Sequence, residues 1–281
     1  MDKAFWKNIA ENDYALPQGH DLIDLTEELL SYLGSPDSEL RDDIAYRTFH
    51  QWINILELYE PEVLRSIRDV LMDNLFVGLR QDDKDTVLLR SFSALVLSLI
   101  IHYDNQKPFL DQEEFDVMLD AVLRYFDAEQ DLRGYDAKLG WIHAVAHTAD
   151  LLKFFIRNKR TEDENHEFIL QSIANKLLDA TGVIFVHDED ERLALAALEI
   201  IRRGEMEFEA IVAILYQFEA WKKHNISAEF DRNVFASNQN IKNFLRSWYF
   251  QVTKIEAENL PEDYREGLVG VLERTTRAYN F

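Results

Sequence analysis

Two histidines and an aspartate, His143, His147 and Asp150, are spaced 0, 4 and 7 along the stretch Gly140-Trp-Ile-His-Ala-Val-Ala-His-Thr-Ala-Asp150. On a helix turning about 100° per residue these positions fall within roughly 60° of arc, so they would form one polar strip. Two imidazoles at i and i+4 can grip one divalent metal ion, and Asp150 is placed as a third ligand. The competing chemistry is a hydrogen-bonded cluster in which Asp150 accepts from His147 one turn away. The metalloprotease pattern H-E-x-x-H needs a general-base Glu directly after the first His, and Ala144 occupies that position.

The elements around the strip must position it. Gly140 is a natural break, and Trp141 to about Arg157 reads as helix. Ala144, Ala146, Thr148 and Ala149 are small enough to let a neighbouring helix approach, while Val145, Leu151, Leu152 and Phe155 supply apolar contact. Upstream, Asp131, Arg133, Tyr135, Asp136 and Lys138 form a loop of mixed charge suited to ligand binding. Glu129 and Asp131 are the carboxylates best placed beside it for general-base work. Arg90 sits in an apolar helix and requires a carboxylate partner, because a buried unpaired charge is costly. Asp42, Asp43 and Asp131 are the candidates, and the functional alternative is an anion-binding Arg90 facing the same groove as His143. Ser91 and Ser93 lack a nucleophile-elbow context. The nine Gly are isolated, with neither a Walker nor a dinucleotide pattern.

Composition narrows the classes. With 281 residues a large core can be buried. Nine Gly and five Pro are too few turns for an all-β chain of this length. Thirty basic against 52 acidic residues give a net charge of −22, which repels phosphate backbones and anionic lipid. Nucleic acid and membrane surfaces are therefore not expected partners. The short basic runs at Lys153 to Arg160, Arg202-Arg203 and Lys222-Lys223 read as solvated helix ends. There is no cysteine, which rules out disulfides and thiolate sites and fits a reducing cytoplasm. The N-terminal residues form no apolar signal segment, and the most apolar window, Ala94 to Ile101, is short for a membrane span.

Along the chain, helices are expected over 2–11, 22–33, 39–58, 62–78, 86–103, 112–127, 141–157, 162–180, 189–203, 206–224, 230–257 (as one or two) and 262–277. Asp111 with Glu114, and Thr161 with Glu164, resemble capping boxes, and Asp85 and Asp188 are expected caps. Gly182 to Val186 is the one run that could extend. The helices pair into hairpins that repeat at intervals of about 45 to 55 residues, near the length of HEAT and armadillo units. The expected fold is therefore all-α, an α-α superhelix of stacked hairpins forming a single domain over 1–281, with a closed α/α barrel as the alternative.

Leu40-Arg-Asp-Asp-Ile-Ala-Tyr46, Asp85-Thr-Val-Leu-Leu-Arg-Ser-Phe-Ser-Ala-Leu-Val-Leu97 and Asp131-Leu-Arg-Gly-Tyr135 through Asp150 resemble the signature blocks of a bacterial family catalogued as domain of unknown function 2785. The resemblance runs from about residue 37 to 155 and is looser over 156–281. It implies an all-helical, HEAT-like protein with no established activity. It carries over Arg41, Asp42, Arg90, Arg133, Gly134, Lys138, Trp141, His143, His147 and Asp150 as candidate site residues; Tyr135 joins them from the loop composition. The functional expectation is a cytoplasmic binding module whose polar groove holds a protein, peptide or small-molecule ligand. The alternative is a hydrolase using a divalent metal at His143, His147 and Asp150.

Overall fold

A computed structural model describes residues 1–79, 84–179, 182–225, 229–255 and 262–276. The fold is all-α, as the spacing of apolar residues leads one to expect, with 73% of residues helical. Two compact units divide the chain, Met1–Phe154 and Phe155–Phe281.

In the first unit α1 (Lys3–Glu11) and α2 (Leu22–Tyr32) precede a continuous helical stretch. This stretch is π-helical over Glu39–Tyr46, passes through one α-helical turn, α3 (Arg47–His50), and is π-helical again over Gln51–Ile55. Pro61 opens α4 (Pro61–Asn74), where its missing N–H costs nothing. A 3₁₀ turn, Lys84–Thr86, leads into α5 (Val87–Gln106), and α6 (Gln112–Ala128) follows. Helix α5 is the centre of this unit: from Leu88 to Ile101 only Leu89 is not fully buried. It packs on α4, α3 and both π-helical segments. By length and composition α5 could cross a bilayer, which the shorter apolar window did not suggest, but 83% of its apolar window is buried inside the protein. That is how a core helix reads.

Asp111 and Glu114 form the expected reciprocal cap of α6. The Asp111 carboxylate accepts from the Glu114 N–H at 2.8 Å, and Glu114 Oε2 accepts from the Asp111 N–H at 2.9 Å. The other carboxylate oxygen of Glu114 ties α6 to α4, accepting from Arg65 Nε at 2.7 Å and Arg68 Nη1 at 2.9 Å.

After α6 the chain makes a small antiparallel hairpin, β1 (Tyr135–Asp136) and β2 (Gly140–Trp141), and then enters α7 (Ala144–Arg157). This corrects the helix start expected at Trp141. Gly140 has φ +76° and His143 φ +49°, so the backbone turns twice through left-handed geometry before the helix begins.

The second unit holds α8 (Asp163–Leu178), α9 (Glu189–Arg203), α10 (Phe208–Asn225), α11 (Arg232–Val252) and α12 (Glu262–Thr276). Helix α11 is one helix and packs against α9, α8 and α12, while α10 packs against α8 and α12. Two expected caps are not made. Thr161 gives its hydroxyl to the carbonyl of Phe155, so α8 starts behind Glu162 with no side-chain cap. Asp188 sits in left-handed geometry at φ +67° and makes no cap bond. The run from Gly182 to Val186 forms no strand. Buried Asn240 satisfies its backbone instead, accepting from the Phe185 N–H at 2.8 Å and donating to the Val183 carbonyl at 2.9 Å. Residues 80–83, between the expected helices 62–78 and 86–103, and the expected helix ends at Ala180, Ala257 and Arg277 lie outside the described residues.

Candidate functional site

The site is built on the hairpin between α6 and α7. Asp136 closes its turn as an Asx motif, its Oδ1 accepting from the N–H groups of Lys138 at 2.8 Å and Leu139 at 3.0 Å. Those two bonds hold the Asp136 pKa below the ordinary carboxylate value. At the tip, Leu139 is buried in an apolar cluster with Val87, Leu88, Ile142 and Ala144. The strand exit is fixed by Gly134, whose carbonyl accepts from Ile142 N–H at 2.8 Å and His143 N–H at 3.2 Å.

Arg41 holds this hairpin from beneath. Its side chain has no exposed surface. Nη1 donates to the Ser35 carbonyl at 2.6 Å, and Nη2 donates to the carbonyls of Leu139 at 2.7 Å and Trp141 at 3.0 Å. The guanidinium also lies 4.6 Å from the centre of the Phe92 ring. A Cβ at Gly140 would fall 2.9 Å from Ser38 Cβ and 3.6 Å from Arg41 Nη2, so the close approach requires glycine as well as the positive φ. Asp42, 3.4 Å from Arg41, is partly buried, and burial pushes its pKa up to about 6 against the opposing pull of Arg41.

His143 and His147 lie above this support. His143 precedes α7, so the strip expected on one helix face loses its first member; its carbonyl accepts the His147 N–H at 2.8 Å. The Trp141 and His143 rings stack at 4.4 Å and 25°, and the His143 and His147 rings meet edge to face at 5.6 Å. Ser91 on α5 donates its hydroxyl proton to the Ile142 carbonyl, leaving its oxygen to accept from His147 Nδ1 at 2.9 Å. His147 is thereby set as the Nδ1–H tautomer. Asp150 pairs with Lys153 at 2.8 Å. Among the described residues, His143, His147 and Asp150 do not bring three ligand atoms within 4.8 Å of one another.

The charged candidates are engaged differently from expectation. Arg90 pairs with Glu129, Nε to Oε2 at 2.6 Å and Nη2 to Oε1 at 3.1 Å, with both side chains buried. Neither Asp42, Asp43 nor Asp131 serves as its partner. Arg90 also donates to the Val77 carbonyl and to Thr86 Oγ1. Glu129 Oε1 accepts the Asp131 N–H at 3.0 Å, so this carboxylate is a structural counter-ion rather than an open base. Asp131 forms a forked pair with Arg133 at 2.6–3.1 Å. Lys138 is exposed on the turn. Tyr135 and Trp141 are 48% and 42% exposed, and their rings meet edge to face at 4.9 Å. The arrangement therefore presents two adjacent aromatic rings at the surface, edged by Arg133, Asp136 and Lys138, on a tightly tied base. Ser91, Phe92 and Leu139 were not anticipated as parts of it. A serine in the most apolar helix was the available signal, since a buried hydroxyl must find a partner.

The family model described as "Protein of unknown function (DUF2785)" matches residues 75–250, more than half of the chain. The protein belongs to that family of unknown function. The match takes in the hairpin, the histidines and much of the second unit, where the resemblance was expected to loosen, and it leaves out Arg41 and Asp42, which were expected within it. No curated protein and no solved structure matches the chain.

Two outcomes follow from this geometry. Arg41→Lys cannot reach three carbonyls with one ammonium. It is expected to destabilise the protein by about 2–4 kcal/mol in denaturant unfolding, the cost of buried acceptors left without donors. For Asp42 the sign is opposite. The unfolded chain releases this proton near pH 3.8 and the folded protein near pH 6, so stability falls as pH rises through that window. Asp42→Asn is expected to flatten that limb and to raise stability at pH 7 by about 1 kcal/mol, allowing for partial solvent screening.

Proposed function

We propose that the protein is a binding module whose contact surface is the Tyr135–Trp141 aromatic pair, with Arg133, Asp136 and Lys138 around it, and whose ligand is a peptide, a protein segment or a small molecule. The observation that carries this reading is the exposure of two adjacent aromatic rings on a hairpin fixed by Arg41, Leu139 and Gly134. Tyr and Trp dominate the energetics of recognition surfaces, and a rigid base lowers the ordering cost of binding. The left-handed conformation of His143, directly behind Trp141, adds to the reading, because non-glycine backbone strain is concentrated at functional sites.

Hydrolysis at His143, His147 and Asp150 receives less support. Asp150 is turned to Lys153, and the two carboxylates offered as bases, Glu129 and Asp131, are paired with arginines. The repeat interval of the helical hairpins supports a HEAT-like scaffold as the frame of the site. The charge of −22 argues against nucleic acid and anionic membrane as ligands. The basic runs are largely neutralised, Arg157 and Arg202 on Glu199 and Arg203 on Glu205. The lack of cysteine fits residence in the cytoplasm.

A peptide-display and fragment screen on the full chain tests this reading. Ligands selected on the unaltered protein are expected to lose roughly thirtyfold in affinity with Trp141→Ala, the scale of an aromatic hot spot, with the fold retained. A set of ligands indifferent to both Trp141→Ala and Tyr135→Ala would contradict it.

A further inference from the structure

In the second unit, Asp163, His166 and Glu205 bring one ligand atom each within 4.8 Å of one another, the one such group of three among the described residues. We propose that these three side chains form a divalent transition-metal site, with zinc as the fitting ion.

His166 makes this more than a pair of surface acids. It has no exposed surface, and neither ring nitrogen makes a hydrogen bond of normal geometry; its nearest polar neighbour in the backbone is Ile156, a looser contact. A buried imidazole left in that state costs free energy, so its environment calls for a group that can use the lone pair. Its Nδ1 lies 3.8 Å from Glu205 Oε2, too far for a hydrogen bond. It is close to the separation of roughly 3.4 Å that two ligands of one tetrahedral zinc adopt at normal bond lengths.

The supporting groups have the character that a ligand set needs. Glu205 Oε2, the oxygen facing His166 Nδ1, also accepts from Arg203, with Nη2 at 2.6 Å and Nε at 2.9 Å, and its remaining lone pair is the one a metal would use. Arg203 is itself anchored to the carbonyls of Asn158 and Thr161 at 3.2 and 3.4 Å, so the carboxylate is oriented by a tethered guanidinium. Asp163 stands in the first turn of α8, one turn before His166, and is exposed. Glu162, Glu164 and Lys159 line the same depression, where the carboxylates outnumber the cations. One nitrogen and two carboxylate oxygens leave a fourth position open to water. No local pattern points to this group, because Glu205 is far from the α8 pair in the chain and no motif spacing connects them.

The test is zinc titration of the untagged full chain after chelator treatment, followed by calorimetry and by the rise in melting temperature. One equivalent is expected to bind and to raise the melting temperature. Asp163→Asn with Glu205→Gln, two isosteric changes at exposed positions, is expected to weaken binding at least about tenfold and to remove the rise while the metal-free melting temperature stays put. His166→Gln is expected to do the same, and His147→Gln to leave zinc binding unchanged. Absence of zinc binding, or binding that survives the double substitution, overturns the proposal. So does binding that depends on His147.

Discussion

One buried guanidinium carries the architecture of the first unit's surface site. Arg41 is held in the interior with three backbone carbonyls around it, two of them from the hairpin 98 and 100 residues away in sequence. Taking that charge out of water is expensive, and the carbonyls that accept from Nη1 and Nη2 offset the cost, while Nε is left without a partner. The hairpin backbone supplies them, so the arginine and the hairpin depend on each other. The π-helical winding of Glu39–Tyr46 accompanies this placement, and such windings recur where a helix departs from regular geometry for a local purpose. From Arg41 the contacts continue through Phe92 to the His147 ring, and from His147 through Ser91 to the Ile142 carbonyl. The two exposed rings, Tyr135 and Trp141, therefore rest on groups that are packed and hydrogen-bonded in a closed circuit.

The helices were legible because their apolar spacing and breaks are local properties of the chain. The Asp111–Glu114 cap was readable from a few neighbouring residues. The site was legible as a place and not as a geometry. His143 and His147 have helical spacing, yet two strands of two residues each leave no periodic trace, and Gly140 was readable only as a break. The requirement that Arg90 have an acid was sound. The identity of that acid, Glu129, follows from tertiary packing 39 residues away, which no local rule supplies. Thr161 and Asp188 show the same limit: a cap residue competes with other acceptors and conformations that only the folded chain offers.

Charge is distributed in a way that fits recognition better than acid–base chemistry in the first unit. The carboxylates nearest the hairpin, Glu129 and Asp131, each hold an arginine, and Asp136 holds its own turn. These groups spend their charge on position. Asp42 is the exception, its pKa pushed up to about 6 by burial beside the same arginine that fixes the hairpin. A surface built in this manner offers fixed shape and aromatic area, with charge at its margin, which is what a binding surface requires.

The most direct measurement of this view is amide hydrogen exchange across residues 134–143 of the unaltered protein, compared with the interior of α5. A hairpin held by the Arg41 bonds and by Gly134 will show Ile142 and His143 amides exchanging as slowly as that core helix, since they open only with the unit. Exchange of those amides at the rate of an open loop would contradict the claim that Arg41 makes the hairpin a rigid platform.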